Sequence, residues 1–207
     1  MDEQKILLGS MILYKNLTAF TSRVQQFWWT IMYRRLPKIF RMYSHLSVFK
    51  GKDECGRNIE AEANLQIDQT TFRFNHNTMD IYMPLCGDKA SIYAINKALD
   101  QFEEKLYGFG SWLAIFLRGI LELMFPKKNV RHWRILMDKT AMCSEFGWWV
   151  KYYMAEYVTE HSGSAQKRIQ WSLFRAGLLR YNPNTYTPVD AGELFREFTN
   201  CWAKYGS

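Results

Sequence analysis

Two hydrophobic periods divide the chain: up to residue 84 apolar and polar side chains mostly alternate, and beyond it the apolar positions recur every three to four residues. Within the alternating part, Ile6 to Tyr14 mixes Leu, Ile and Met around Gly9-Ser10 and predicts a short strand entered through a turn. A strand over 43–51 places Leu46, Val48 and Lys50 on one face and His45, Ser47 and Phe49 on the other. Lys52 to Asn58, with Asp53 and Gly56, supplies a turn. Alternation then resumes, with Ile59, Ala61, Ala63 and Leu65 opposite Glu60, Glu62 and Asn64, which predicts an antiparallel hairpin. Two further short strands, 70–74 and 80–84, flank an Asn-rich turn. One helix interrupts this region. Capped by Asn16 or Thr18, it carries Val24, Phe27, Trp28, Ile31 and Met32 as a stripe, and Pro37 ends or bends it. Phe27-Trp28-Trp29 is read as core and lid packing rather than a membrane-surface helix, because Arg34-Arg35 is the only basic cluster beside it.

In the second part, Lys89 to Lys105 forms an amphipathic helix and 106–110 a glycine-rich break. Ser111 caps a helix from Trp112 to Phe125, which Pro126 stops. After the basic stretch Lys127 to Arg134, Thr140 is the candidate N-cap of a helix reaching about Glu160, with Cys143, Gly147, Val150 and Met154 along one face. A short helix near 171–179 and a Thr187-Pro188 turn into a final helix complete the pattern. No repeat, low-complexity tract or linker divides the chain. The expectation is a single α+β domain over 1–207, a small antiparallel sheet with helices packed around it, with a helical insertion at about 16–36 and a helical segment at about 89–125.

Composition narrows the function classes. With 207 residues the chain can bury a substantial core, and its 16% aromatic content favours large apolar surfaces. The net charge of +7 is scattered in short pairs such as Arg34-Arg35, Lys127-Lys128 and Lys167-Arg168, which read as solvated faces, so no nucleic acid partner is expected. Four cysteines without CxxC or zinc-ligand spacing point to a reducing compartment, with no metal and no cofactor expected. The N-terminal apolar run is too short for a signal peptide, and Trp112 to Phe125 is broken by Arg118 and Glu122, so a cytoplasmic protein without a transmembrane segment is expected.

The chemistry centres on Cys143. A thiol in the first turn of a helix meets unpaired N–H groups and the positive end of the macrodipole, which favour the thiolate, so Cys143 is the candidate nucleophile. Thiol hydrolysis also needs an imidazole to accept and return a proton, and a polar group to orient it. Of the four histidines, His45 stands on a rigid strand, His76 in a turn, His132 in the basic stretch and His161 at a helix C-terminus, where capping is its expected role. His45 is the preferred base.

Ser44-His45-Leu46-Ser47-Val48-Phe49, Asn58-Ile59-Glu60-Ala61, Met142-Cys143-Ser144-Glu145-Phe146 and Thr187-Pro188-Val189-Asp190, in that order, resemble the circularly permuted NlpC-type papain-fold proteins of the YiiX-like group. Leu8-Gly9-Ser10 also resembles their Gly-Asp entry strand, with Ser10 in place of the acidic residue. The resemblance implies a permuted papain-like fold and a cysteine amidase or peptidase working through a thioester acyl-enzyme. Cys143 would be its nucleophile, His45 its base and Glu60 the group orienting His45, with Glu62 as the competing third member. The implied substrate is a cell-wall peptide or another amide. Relatives similar to lecithin retinol acyltransferase imply lipid acyl transfer or phospholipase activity as an alternative, and a non-catalytic binding or virion-associated protein is the third reading. Family analogy includes viral and bacteriophage sources. The aromatic helix near Trp28 and the 112–125 segment exceed a minimal core and are expected to build a lid or a lipid-facing groove.

Overall fold

A computed structural model describes residues 6–15, 27–28, 30–31, 43–63, 67–72, 74–75, 77–102, 106–107, 109–125, 140–141 and 143–206. The chain runs through β1 (Met11–Tyr14), β2 (His45–Lys52), β3 (Asn58–Ala63), β4 (Ile67–Phe72), β5 (Met79–Pro84), α1 (Asp88–Phe102), β6 (Leu106–Tyr107) and α2 (Phe109–Met124). It continues through β7 (Thr140–Ala141), α3 (Cys143–His161), α4 (Ala165–Leu178), α5 (Pro188–Glu197) and β8 (Trp202–Lys204). Six strands form one antiparallel sheet in the order β4-β3-β2-β1-β5-β8, and β6 pairs with β7 in a small parallel ladder. The class is α+β.

Alternation gives the sheet two apolar faces. Met11, Leu13, Leu46, Val48, Ala61 and Tyr82 belong to the main core with Ala94, Phe146, Val150 and Met154 of the helices. Ile12, Phe49, Phe72, Met79, Ile81 and Met83 build a second cluster, against which Ile6, Leu7 and Tyr205 pack. At about 1.5–3 kcal/mol for each buried aliphatic or aromatic side chain, the two clusters together supply the main driving force. The central helix is α3, which packs on α1, α4, β2 and β3. It is buried on nearly every side, so its apolar stripe is weakly defined and its first turn lies inside the molecule.

Several boundaries differ from the sequence pattern. Thr140 is paired in β7 opposite Leu106 and does not cap α3, whose first helical residue is Cys143 itself. The region read as a glycine-rich break holds β6, and α2 begins at Phe109, which puts Ser111 inside the helix. No sequence pattern predicts strand β8, because three residues are too few to display a period and the pairing with β5 decides it. Phe27-Trp28 divides its roles: Trp28 packs on the main core, and Phe27 is 68% exposed. Most of the 16–36 insertion lies outside the described residues.

Two residues of α3 set how the helix sits. An added Cβ at Gly147 would lie 2.1 Å from Leu46 Cδ2, so glycine is what lets α3 close onto β2. Leu46 is fully buried and cannot swing into solvent. One turn further on, Lys151 is also fully buried, and among the described residues no hydrogen-bond partner reaches its Nζ. The rings of Tyr186 and Phe195 lie 4.7 and 5.2 Å from the amine. Burial pulls the lysine well below its ordinary range, against the opposing charge of Asp190.

Gly147→Ala is expected to cost about 1–3 kcal/mol by overpacking, and a second change, Leu46→Ala, should show positive coupling to it in a denaturation double-mutant cycle. Lys151→Met is expected to raise the thermal midpoint at neutral pH, by roughly 1–4 kcal/mol of added stability. The sign follows from linkage. With the folded-state lysine depressed, the unfolded chain binds the extra proton, so the wild-type penalty is full at low pH and shrinks as pH rises toward the lysine range. The gain from Lys151→Met should therefore narrow in alkaline melts.

Candidate active site

The start of α3 meets the start of β2. Cys143 is the first residue of the helix and is 3% exposed, whereas His45 opens the strand and is partly accessible. The His45 side chain lies close enough to the sulfur for its charge and hydrogen-bonding capacity to act on the thiol, and the backbone N–H groups of Leu46 and Ser144 act on it in the same sense. Burial pushes the Cys143 thiol up, but the positive charge of His45, its hydrogen bond and the two amides outweigh this and hold it below the ordinary thiol value. Where no imidazole acts on the sulfur, burial wins: Cys86 is pushed up to about 11 and Cys201 to about 12. All four cysteines are free thiols.

Glu60 reaches this pair through a third strand. The β2–β3 register sets Glu60 opposite Phe49, on the same face as Ser47 and His45. Its carboxylate is 4% exposed, accepts the Tyr14 hydroxyl at 2.6 Å and also accepts the Ser47 hydroxyl; Thr70 Oγ1 stands 3.4 Å away. Tyr14 is the direct cross-strand partner of His45, and the two rings lie 5.7 Å apart, tilted by 50°. A buried carboxylate thus holds Tyr14 and Ser47, and Tyr14 walls the imidazole. The sequence pattern assigns neither Tyr14 nor Ser47 a role at the site. Their signal was the β1 pattern ending in a tyrosine and the shared face of His45 and Ser47.

The C-terminal turn secures the helix start. The Ser144 hydroxyl, next to the candidate nucleophile, donates to the Tyr186 carbonyl at 2.6 Å. Thr187 and Asp190 form a reciprocal capping box at the entrance of α5. Arg118 of α2, fully buried, donates to both Asp190 oxygens at 2.7 and 3.0 Å and to the Thr185 carbonyl at 2.6 Å. Its Nε donates to Glu122 at 2.9 Å. Arg118 and Glu122, which read in the sequence as interruptions of an apolar segment, are therefore partners of each other, with Arg118 reaching inward to the buried Asp190.

His161 ends α3. Its Nδ1 lies 3.0 Å from the Tyr157 carbonyl and its ring stacks on Tyr157, as a capping residue does. Eighteen residues of helix, roughly 27 Å, separate it from Cys143. His76, His132 and the Glu62 side chain lie outside the described residues. Among the described residues no group of three or more His, Cys, Asp or Glu is arranged to hold a metal ion.

In this arrangement the rate of Cys143 alkylation by iodoacetamide is expected to rise with a midpoint below the ordinary thiol value of 9.0. In His45→Ala, burial then acts unopposed by the imidazole, and the midpoint should move upward. Peptide-resolved mass spectrometry across a pH series measures both, and an unchanged midpoint in the variant would contradict the pairing. No protein-family model matches this sequence, and no match is found among curated proteins or solved structures.

Proposed function

We propose that the protein is a cysteine hydrolase of the amidase or peptidase kind, with Cys143 as nucleophile, His45 as general base and acid, and Glu60 as the buried carboxylate that fixes the surroundings of His45. The supporting observation is the contact of a helix-start thiol with a strand-borne imidazole, which holds the thiol below its ordinary range despite full burial. The order and spacing of the four motifs support a permuted papain-like fold, and the antiparallel sheet with α3 against β2 is compatible with it.

The chemistry runs in two halves. The Cys143 thiolate attacks the substrate carbonyl carbon, a C–S bond forms, and the carbonyl electron pair moves to oxygen. Backbone N–H groups at the start of α3 are the donors proposed for that oxyanion. As the C–N bond breaks, the protonated imidazole of His45 gives its proton to the leaving amine, which leaves a thioester on Cys143. His45 then takes a proton from water as its oxygen attacks the thioester, the C–S bond breaks, and a carboxylic acid leaves the regenerated pair. Cell-wall peptides or other amides are the proposed substrate class. Esters of lipids, the alternative, would pass through the same thioester.

A chromogenic acyl ester should give a burst near one equivalent, with the acyl mass on the Cys143 peptide and its loss in hydroxylamine. Cys143→Ala should abolish the burst, His45→Ala should slow acylation by about 10²–10⁴-fold, and Glu60→Gln should give a smaller loss. Acyl mass spread equally over Cys55 and Cys201 would overturn the assignment. Amine release from muropeptides, against fatty-acid release from phospholipid, separates amidase from lipid chemistry.

A further inference from the structure

Tyr14 holds the surroundings of His45 from three directions. Its carbonyl accepts the N–H of Ser44, the residue before His45, at 2.9 Å and the Ser44 hydroxyl at 3.3 Å. Its ring lies 5.7 Å from the imidazole, tilted by 50°. Its hydroxyl donates to the Glu60 carboxylate at 2.6 Å. The backbone of Tyr14 is itself fixed on both sides, opposite His45 of β2 and Met79 of β5, and the next N–H, of Lys15, donates to the Thr78 carbonyl at 2.6 Å.

The hydroxyl contact crosses a strand. Because β2 lies between β1 and β3, Tyr14 and Glu60 stand two strand spacings apart, roughly 10 Å. Side chains that meet over that distance form a strap across β2, and Ser47 joins it by donating to the same carboxylate. His45 is the first residue of that strand and is partly accessible, so its ring can change rotamer unless a neighbour limits it. The Tyr14 ring is such a neighbour. It cannot swing away without losing its hydrogen bond to a carboxylate that is 4% exposed, and the 2.6 Å separation is that of a hydroxyl on an ionised acceptor.

We propose that Tyr14 is a positioning residue for the Cys143–His45 pair: its ring, tethered by Glu60, keeps the imidazole in the orientation in which it acts on the sulfur. Glu60 then reaches His45 by way of Tyr14, and that part of its effect depends on accepting a hydrogen bond more than on carrying a charge. The reaction assigned to the pair rests on the cysteine-hydrolase reading, whereas the placement of the imidazole does not. A displacement on the order of an ångström at reacting groups costs about 10²-fold in rate, which sets the upper scale for losing the tether.

The test follows His45 and Cys143 in the full chain without requiring turnover. In carbon–proton NMR spectra the His45 ring protons should carry a ring-current displacement from Tyr14. Tyr14→Phe keeps the ring and removes the tether, so that displacement should shrink, the pH midpoint of Cys143 alkylation by iodoacetamide should rise, and alkylation at neutral pH should slow by about tenfold. Glu60→Gln retains an oxygen for the phenol and should move these readings less than Tyr14→Phe does. Glu60→Leu removes the acceptor and should match Tyr14→Phe, and combining the two should add little; if Glu60→Leu fails to fold, Tyr14→Phe and Glu60→Gln carry the comparison. With a chromogenic acyl ester, Tyr14→Phe should lower kcat by about tenfold or more and leave KM within about twofold. Unchanged His45 resonances and an unchanged midpoint in Tyr14→Phe, or a larger effect of Glu60→Gln than of Tyr14→Phe, would overturn the proposal. Wild-type protein that never acylates, yet shows these responses to Tyr14→Phe, would overturn the hydrolase reading and leave the positioning role standing.

Discussion

The closure of α3 onto β2 is the constraint on which the site depends. A thiol at a helix start and an imidazole at a strand start meet only if helix and strand come closer than most side chains allow. Gly147 permits that approach, one turn beyond Cys143, and Leu46, the neighbour of His45, fills the space. The same contact sets the electrostatics. The Leu46 N–H also favours the thiolate, so packing and charge stabilisation come from one strand residue. A shift of about an ångström along this contact would separate the pair, leave a fully buried thiol with burial alone acting on it, and make it resemble Cys201.

Two polar arrangements hold the two sides of this contact. On the sheet side, Glu60 gathers Tyr14 and Ser47 from neighbouring strands. On the helix side, Arg118 and Asp190 lock the turn whose Tyr186 carbonyl receives Ser144. Both are buried, and a buried charge left alone is costly, so each is retained only with its partners present. Lys151 is the exception within the same core. Its compensation is the faces of Tyr186 and Phe195 and the field of Asp190, which leaves the amine depressed instead of paired.

The sequence was readable where a period repeats. Strands β1 to β5 and helices α1 to α5 follow from alternation or from the 3.6 spacing, and His45 and Cys143 each stood at the edge of such an element. Contacts that depend on register or on distant elements were not readable. Whether a carboxylate on the second hairpin strand could serve a histidine on the first required a register or a third strand, and β1 supplies that link through Tyr14. The partnership of Arg118 with Asp190 spans 72 residues, and no local pattern announces it. Strand β8 forms because β5 offers an edge, a property of the fold and not of residues 202–204.

Enclosure sets the electrostatics of the pair. The sulfur is nearly inaccessible while His45 is partly open, so the His45 side of the pair is the one nearer solvent. That geometry excludes bulk water from the sulfur, and in the drier surroundings the attraction between thiolate and imidazolium is stronger than in solvent. Burial therefore acts in both directions. It raises the cost of a lone thiolate and strengthens the interaction that offsets the cost, and the net lowering at Cys143 shows which prevails when an imidazole and two amides converge on one atom. Cys86 and Cys201 show the opposite balance in the same molecule, so the difference lies in what surrounds each sulfur and not in burial itself.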